Sequence, residues 1–360
     1  MTTPIGHHAV VRVDTDEGVS GWGEAPAIAT WGGSSMRYYG ETPETVRHIV
    51  HDYLIPRLTG ADPMNVGSAH VLMDEAVKGH PYAKAAVDVA LHDITGRALN
   101  VPVYVLLGGA HRDRIEVAHS LGIMEVDRCI EEAEQAVAEG ATTIKCKTGL
   151  DARRDLDLVH RLRDSLGSGV AIRVDANEGY KTVAEAVSVG RAHEPDGIFV
   201  YEQPVAGARA LGQVAAQIAT PVMADESAWT AEDIVELAEL DAAACFSCYV
   251  TKPGGLYRAR HQAEIASTLG MHCDIGGSIE MGIGNAANLH LGAALESAVL
   301  PSVCPVTKPA GEPGPEVAGI YYTDDIVCES FGFADGRLSV PQGPGLGVEV
   351  DQEKLRHYAQ

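Results

Sequence analysis

The chain reads as an α/β protein, a TIM-like (β/α)7-8 barrel with an N-terminal α+β capping domain. Three observations predict this. From about Ile115, apolar strand-like runs alternate with amphipathic helical stretches. Five short motifs end successive runs: Lys145-Cys-Lys147, Asp175-Ala-Asn177, Glu202-Gln-Pro204, Asp225-Glu226-Ser227 and Lys252-Pro-Gly-Gly255. Counted from Lys147 the steps are 28, 27, 23 and 27 residues, the length of one strand, one helix and two short loops. The first hundred or so residues follow another pattern. A length of 360 residues accommodates a barrel and a smaller unit.

The cap is expected over residues 1–110, the barrel over 111–330, and a tail over 331–360 that returns to the cap. Ala9–Val13 and Val19–Glu24 alternate as strands around the turn Asp14–Gly18, which predicts a hairpin. Trp31–Thr42 reads as a loop. Helices are predicted over Thr42–Leu58, with Thr42 as cap and Pro43 in the first turn, over Val66–Ala76 and over Tyr82–Leu99. Barrel strands are predicted over Glu116–Leu121, Thr143–Lys147, Ala171–Asp175, Gly197–Tyr201, Val222–Asp225, Cys245–Thr251 and His272–Gly276, with Ala298–Val303 as the eighth. Between them lie helices over Asp127–Glu139, Asp155–Leu166, Thr182–Ala192, Thr230–Leu240 and Tyr257–Leu269. Thr230 with Asp233 predicts a capping box. In such barrels the chemistry lies at the C-terminal ends of the strands, where every motif above falls.

The formal charge of −23 argues against nucleic acid and anionic membranes as partners. No run of 18 apolar residues appears, and Met1–Val10 lacks the basic and apolar regions of a secretory signal, so a cytoplasmic protein is expected. The seven cysteines are scattered and several lie in apolar runs, as buried reduced thiols do. Cys245-Phe-Ser-Cys248 has no second Cys/His pair at zinc-finger distance.

Asp175, Glu202 and Asp225 each end an apolar strand, AIRVD, GIFVYE and PVMAD. A half-buried carboxylate needs a partner, and three on neighbouring strands repel unless they share a cation. All-oxygen ligation without His or Cys points to Mg²⁺, with Mn²⁺ the alternative. Asn177 and Glu226 are placed to orient these ligands. Lys147 and Lys252 end the second and sixth strands, roughly opposite each other in a closed barrel. A carboxylate bound between them has an amine on each face of its α-carbon. Lys145 points to the same face as Lys147, and its charge disfavours protonation of Lys147.

The ordered set TIKCKTG, RVDANEGY, YEQPV, ADES and TKPGG resembles the enolase superfamily, and within it the muconate lactonizing enzyme subgroup (mandelate racemase/muconate lactonizing proteins). The resemblance runs from VRVDTDEGVSGWGEAP through YAKAAVDVALHDITGRALNVPVYVLLGG to QGPGLGVEVD. It implies Asp175, Glu202 and Asp225 as Mg²⁺ ligands, Lys147 and Lys252 as acid/base catalysts, and Lys145 as a tuning residue that contacts the substrate carboxylate. It also places Glu280 as a site glutamate, and Trp31, Arg37 and Tyr38–Glu41 on cap loops that select the substrate. His119, ending the first strand, is a further candidate for the pocket. Relative to the family, the chain opens near the end of a mobile loop, so the first cap strand is expected to be missing, which would bare a sheet edge and open the pocket to water. The implied activity is Mg²⁺-dependent abstraction of the α-proton of a small-molecule carboxylate, as in muconate cycloisomerisation. Racemisation or epimerisation of an amino-acid derivative, dehydration of a hydroxy acid, or an inactive homologue are the alternatives. A homo-oligomer is expected.

Overall fold

The computed structural model describes residues 7–30, 40–314 and 322–359. The cap opens with an antiparallel pair, β1 (His7–Asp14) and β2 (Ser20–Ala27), in register from His7 opposite Ala27 to Asp14 opposite Ser20. Helices α1 (Pro43–Ile49), α2 (Ile55–Leu58), α3 (Val66–Ala76), α4 (Pro81–Leu99) and α5 (Val103–Leu106) follow. β2 lies on α4 because Gly21 and Gly23 carry no side chain. A Cβ on Gly23 would stand 1.8 Å from the carbonyl oxygen of Ala86.

Thr42 caps α1 in a capping box with Thr45. The single helix predicted over Thr42–Leu58 is divided by a π-helical turn, Val50–Leu54, and the Ile55 N–H donates to the Val50 carbonyl. Pro56 explains the change of pitch. It has no N–H for the carbonyl four residues back, and its ring would collide with that carbonyl in an α-helix.

The barrel comprises β3 (Arg114–Glu116), β4 (His119–Ser120), α6 (Val126–Ala138), β5 (Thr143–Lys147), α7 (Ala152–Leu166), β6 (Ala171–Asp175), α8 (Val183–His193), β7 (Val200–Glu202), α9 (Ala208–Ala215), β8 (Val222–Ala224), α10 (Ala231–Glu239), β9 (Cys245–Cys248), α11 (Leu256–Thr268), β10 (His272–Ile275) and α12 (Gly282–Ala294). Thr230 and Asp233 form the predicted capping box on α10. Strands β4 to β10 form one parallel sheet in sequence order, as right-handed strand–helix units require. Outward residues such as Ile144, Ile172, Val174, Phe246 and Ile275 pack with helical Leu158, Leu162, Leu211 and Ile234 in the main core.

Two strand predictions need correction. The run Glu116–Leu121 is not one strand, because its start, β3, pairs antiparallel with β12 (Arg337–Ser339) of a three-stranded sheet that includes β11 (Phe333–Ala334). Only His119–Ser120 joins the barrel sheet. Ala298–Val303 makes no regular eighth strand. Pro301 supplies no N–H to a ladder, and the segment joins the sheet edges by separate bonds. Val303 donates to the Ile275 carbonyl, Ser302 to Glu116, and Ala118 to Ser302.

The tail ends in α13 (Gln352–Tyr358). Val103 of the cap donates to the Gly345 carbonyl, and Asp93 of α4 accepts from Leu346. No helix among the described residues is long and apolar enough to cross a membrane. No cysteine is in a disulfide. Six are buried and Cys328 is exposed, and Cys245 and Cys248 donate to the carbonyls of Val222 and Ala259.

Candidate active site

The parallel register brings the motifs to one end of the barrel. Lys147 lies beside Asp175, and Asp175 beside Glu202. Asp175, Glu202 and Asp225 are fully or almost fully buried, each offering one carboxylate oxygen within 4.8 Å of the others. Among the described residues this is the one group of three or more potential metal ligands so placed. At an effective dielectric of about 20, two unit charges at that distance repel by about 3.5 kcal/mol. Three buried anions therefore need cations.

The chain itself provides several. Lys145 Nζ lies 2.8 Å from Asp175 Oδ2 and 3.0 Å from both Glu202 oxygens. Lys147 Nζ donates to Asp175 Oδ2 and Asn177 Oδ1, both at 2.7 Å. Buried Arg173 donates to Glu202 Oε2 at 2.8 Å and to Asp274 Oδ2 of β10 at 2.5 Å. Lys252 is ion-paired to Asp225 Oδ1 and donates to the Asp225 carbonyl at 2.8 Å. Its ammonium also sits 4.0 Å from the Tyr249 ring centroid and 5.9 Å from that of Trp229.

Compensation is unequal. Burial opposes ionisation throughout, yet Lys145 and Lys147 hold Asp175 below the usual carboxylate range, and Arg173 holds Glu202 below it. At Asp225, burial and repulsion from Glu202 prevail over Lys252 and push the carboxyl upward. Asp225 Oδ2 is buried without a hydrogen-bond partner. An orphaned carboxylate oxygen facing two further buried carboxylates fits a hard divalent cation. Lys145, despite burial, is held above the ordinary lysine range by Asp175 and Glu202, so it is a fixed positive charge.

Asn177 and Glu226 join the cluster. The Asn177 N–H donates to Asp175 Oδ1 at 3.0 Å, and its amide donates to Glu226 Oε1 at 2.9 Å. Burial and the charges of Asp225 and Asp175 push Glu226 well up. Glu280 follows β10. It is buried, Oε2 accepts from Ser278 N at 2.7 Å, Oε1 has no partner, and burial raises its carboxyl to about 7. Ser278 Oγ lies 3.0 Å from the Tyr82 hydroxyl and 3.2 Å from Thr251 Oγ1, next to Lys252.

His119 is not brought to this cluster. It pairs with Ile144, whose side chain faces the helices, and its Nε2 lies 3.1 Å from Glu132 Oε1 of α6. Trp31, Arg37, Tyr38 and Tyr39 lie outside the described residues. Glu41 is buried, and its Oε1 accepts from the first-turn N–H of Tyr82 at 2.8 Å.

Three contributors were not singled out in the sequence. Arg173 and Asp274 support Glu202 from below. Arg173 lies two residues before Asp175 on the same face of a strand, a period-two signal that marks it in retrospect. Gln203 adopts a left-handed φ of 35°. Its Oε1 accepts from Asp225 N at 2.9 Å and Ser227 N at 3.1 Å, and its Nε2 donates to the Val205 carbonyl and Ser227 Oγ, both at 2.8 Å. This one amide fastens the loop that carries Asp225.

A capped parallel barrel with three convergent carboxylates and lysines on both flanks is the architecture of an enolase-superfamily enzyme. Residues 128–354 match the enolase C-terminal domain-like family, and residues 2–108 match the mandelate racemase/muconate lactonizing enzyme N-terminal domain. The chain belongs to this mandelate racemase/muconate lactonizing enzyme family, and it is an enzyme of its isomerase and lyase kind. It is 32% identical over 353 residues to the N-succinyl-L-Arg/Lys racemase of Bacillus cereus, covering 96% of this chain and 89% of that one. It is 34% identical over 354 residues to muconate cycloisomerase 1 of Rhodococcus opacus, with the same coverages. The solved muconate lactonizing enzyme of Pseudomonas putida superposes with a TM-score of 0.88 at 30% identity, over 99% of this chain and 95% of that one.

Proposed function

We propose that the protein cycloisomerises a muconate-like diacid, with Lys147 and Lys252 as its acid/base pair and Asp175, Glu202 and Asp225 as ligands of Mg²⁺, or Mn²⁺ in its place. The observation that carries this reading is the placement of the two amines. Lys147 bonds Asp175 on one flank of the carboxylate trio and Lys252 bonds Asp225 on the other. A carboxylate seated over the trio then presents one face of its α-carbon to each amine.

A divalent ion held there supplies the electrostatic stabilisation that makes an enolate dianion accessible from a carboxylate. The residues do the rest. In the lactone-opening direction a lysine amine takes the α-proton, the electron pair moves into the carboxylate, and the ring C–O bond breaks. In lactonisation the free carboxylate oxygen adds to the double bond, and the ammonium returns the proton to the α-carbon. Lys145 keeps its charge beside Asp175 and Glu202, where it also meets the substrate carboxylate.

Racemisation of an N-acylated amino acid is the second reading. It is favoured by an amine on each face and by the likeness to the Bacillus cereus racemase. The test is incubation with Mg²⁺ in D₂O of muconate and, separately, of each enantiomer of N-succinyl-lysine. Loss of muconate with one solvent deuteron in the lactone is expected. Exchange of the N-succinyl acids without conversion of muconate selects the second reading, and inertness towards all of them refutes both.

A further inference from the structure

We infer that Asp88, on cap helix α4, is a positioning residue for Lys252: the cap fixes one of the two site amines by gripping the chain just beyond it. This rests on the reading of Lys252 given above.

Asp88 is buried, its carboxylate takes three donors, and its backbone carbonyl lies 2.9 Å from His92 Nδ1. Oδ1 accepts from the N–H of Leu256 at 2.6 Å and lies 3.2 Å from His92 Nδ1. Oδ2 accepts from the N–H of Tyr257 at 3.4 Å and lies 2.8 Å from His70 Nε2. Leu256 and Tyr257 open α11, so a cap residue satisfies the free donors of a barrel helix. The approach is close enough to require glycine at 255, where φ is 132° and a Cβ would stand 2.2 Å from Asp88 Cγ.

Neighbouring contacts reinforce the grip. The His70 and Tyr257 rings stack with centroids 5.3 Å apart, and Arg258 is ion-paired with Asp74, which also accepts from Lys84 Nζ at 2.7 Å. Pro81, Lys84 and Asp88 share one face of α4. A Cβ on Gly254 would lie 3.7 Å from both Pro81 Cα and Lys84 Cβ. Tyr82 reaches Ser278, which contacts Thr251.

Lys252 sits inside this gripped segment, four residues after the end of β9 and four before the start of α11. Gly254 and Gly255 both have positive φ, and glycines leave a turn many conformations. Within the turn the Gly254 and Gly255 N–H groups bond back to the carbonyls of Thr251 at 3.2 Å and Val250 at 2.8 Å, and outside it the backbone is anchored by the end of β9 and by the carboxylate of Asp88. Lys147 needs no such help, because it ends a strand paired in register with β6. Among the described residues, the cap thus grips the chain beside one of the two amines, Lys252.

The test compares Asp88→Asn with the parent protein, measuring α-proton exchange of each N-succinyl-lysine enantiomer in D₂O with Mg²⁺. Lys252→Ala identifies the enantiomer whose proton faces Lys252. A displacement of about 1 Å costs about 10²-fold, so that enantiomer should lose about 10²-fold in exchange. The other enantiomer, and Mg²⁺ affinity by calorimetry, should stay within about 3-fold. Equal loss for both enantiomers, or loss for neither, overturns the inference. If Asp88→Asn does not fold, Gly255→Ala displaces the same contact from the opposite side and should give the same one-sided loss. If the parent exchanges neither enantiomer, the racemase reading fails separately, and the placement of Lys252 is still open to test. The crystal structure of the variant then decides: Lys252 Nζ withdrawn from Asp225 supports the inference, and Nζ retained there overturns it.

Discussion

Glu280 carries a prediction that can be worked through in numbers. Its carboxyl is fully buried, receives one backbone N–H, and has an oxygen with no partner. Burial raises it from 4.5 to about 7, and the hydrogen bond from Ser278 only partly offsets this. Between those two values the native protein keeps a proton that the unfolded chain releases. Stability from this group is therefore complete below pH 4.5 and lost as pH rises towards 7. The difference of 2.5 units corresponds to about 3.4 kcal/mol, of which about 2.5 kcal/mol is lost between pH 5 and pH 8. Glu280→Gln keeps the shape and an acceptor for Ser278 N but has no proton to lose. Urea unfolding of both proteins at pH 5, 6, 7 and 8 measures the difference. The Gln variant should gain on the parent by about 2.5 kcal/mol across that range. A difference that stays flat within about 0.5 kcal/mol would refute the reasoning.

Three further predictions concern the site. Lys147→Ala should reduce α-proton exchange by at least about 10³-fold while Mg²⁺ binding by calorimetry persists, and unchanged exchange removes Lys147 from the chemistry. Asp225→Asn should weaken Mg²⁺ binding by about 10-fold or more, and unchanged affinity counts against the trio as ligands. Gln203→Met leaves the N–H groups of Asp225 and Ser227 without an acceptor. At about 1–3 kcal/mol for each, it should cost about 2–6 kcal/mol in denaturant unfolding and also lower Mg²⁺ affinity. A stability within about 1 kcal/mol of the parent would show that Gln203 does not fasten that loop.

The carboxylates and lysines of the site were legible because two periods coincide. The motif spacing matches one strand–helix unit, and each motif ends an apolar run whose alternation fixes the direction of the side chains. Lys145 and Lys147, or Arg173 and Asp175, must then share a face. A two-residue strand offers no alternation, so the direction of His119 shows only in its pairing with Ile144, which faces the helices. The apolar composition of Ala298–Val303 suggests an eighth strand, and Pro301 argues against it. The π-helical turn before Ile55 breaks the single helix expected over Thr42–Leu58, and Pro56 is the residue that marks it. Asp88 and Asp274 were not legible. Their partners, Leu256 and Arg173, lie 168 and 101 residues away in sequence, and no local pattern encodes such a contact.

The central claim is that Asp175, Glu202 and Asp225 hold one ion between two opposed amines. Crystals grown with Mn²⁺ and a slowly reacting dicarboxylate, with anomalous data collected at the manganese edge, test it most directly. The account predicts a single anomalous peak in contact with all three carboxylates, with the Lys147 and Lys252 Nζ atoms on opposite faces of the ligand's α-carbon. A peak elsewhere, or a ligand with both amines on one face, would contradict it.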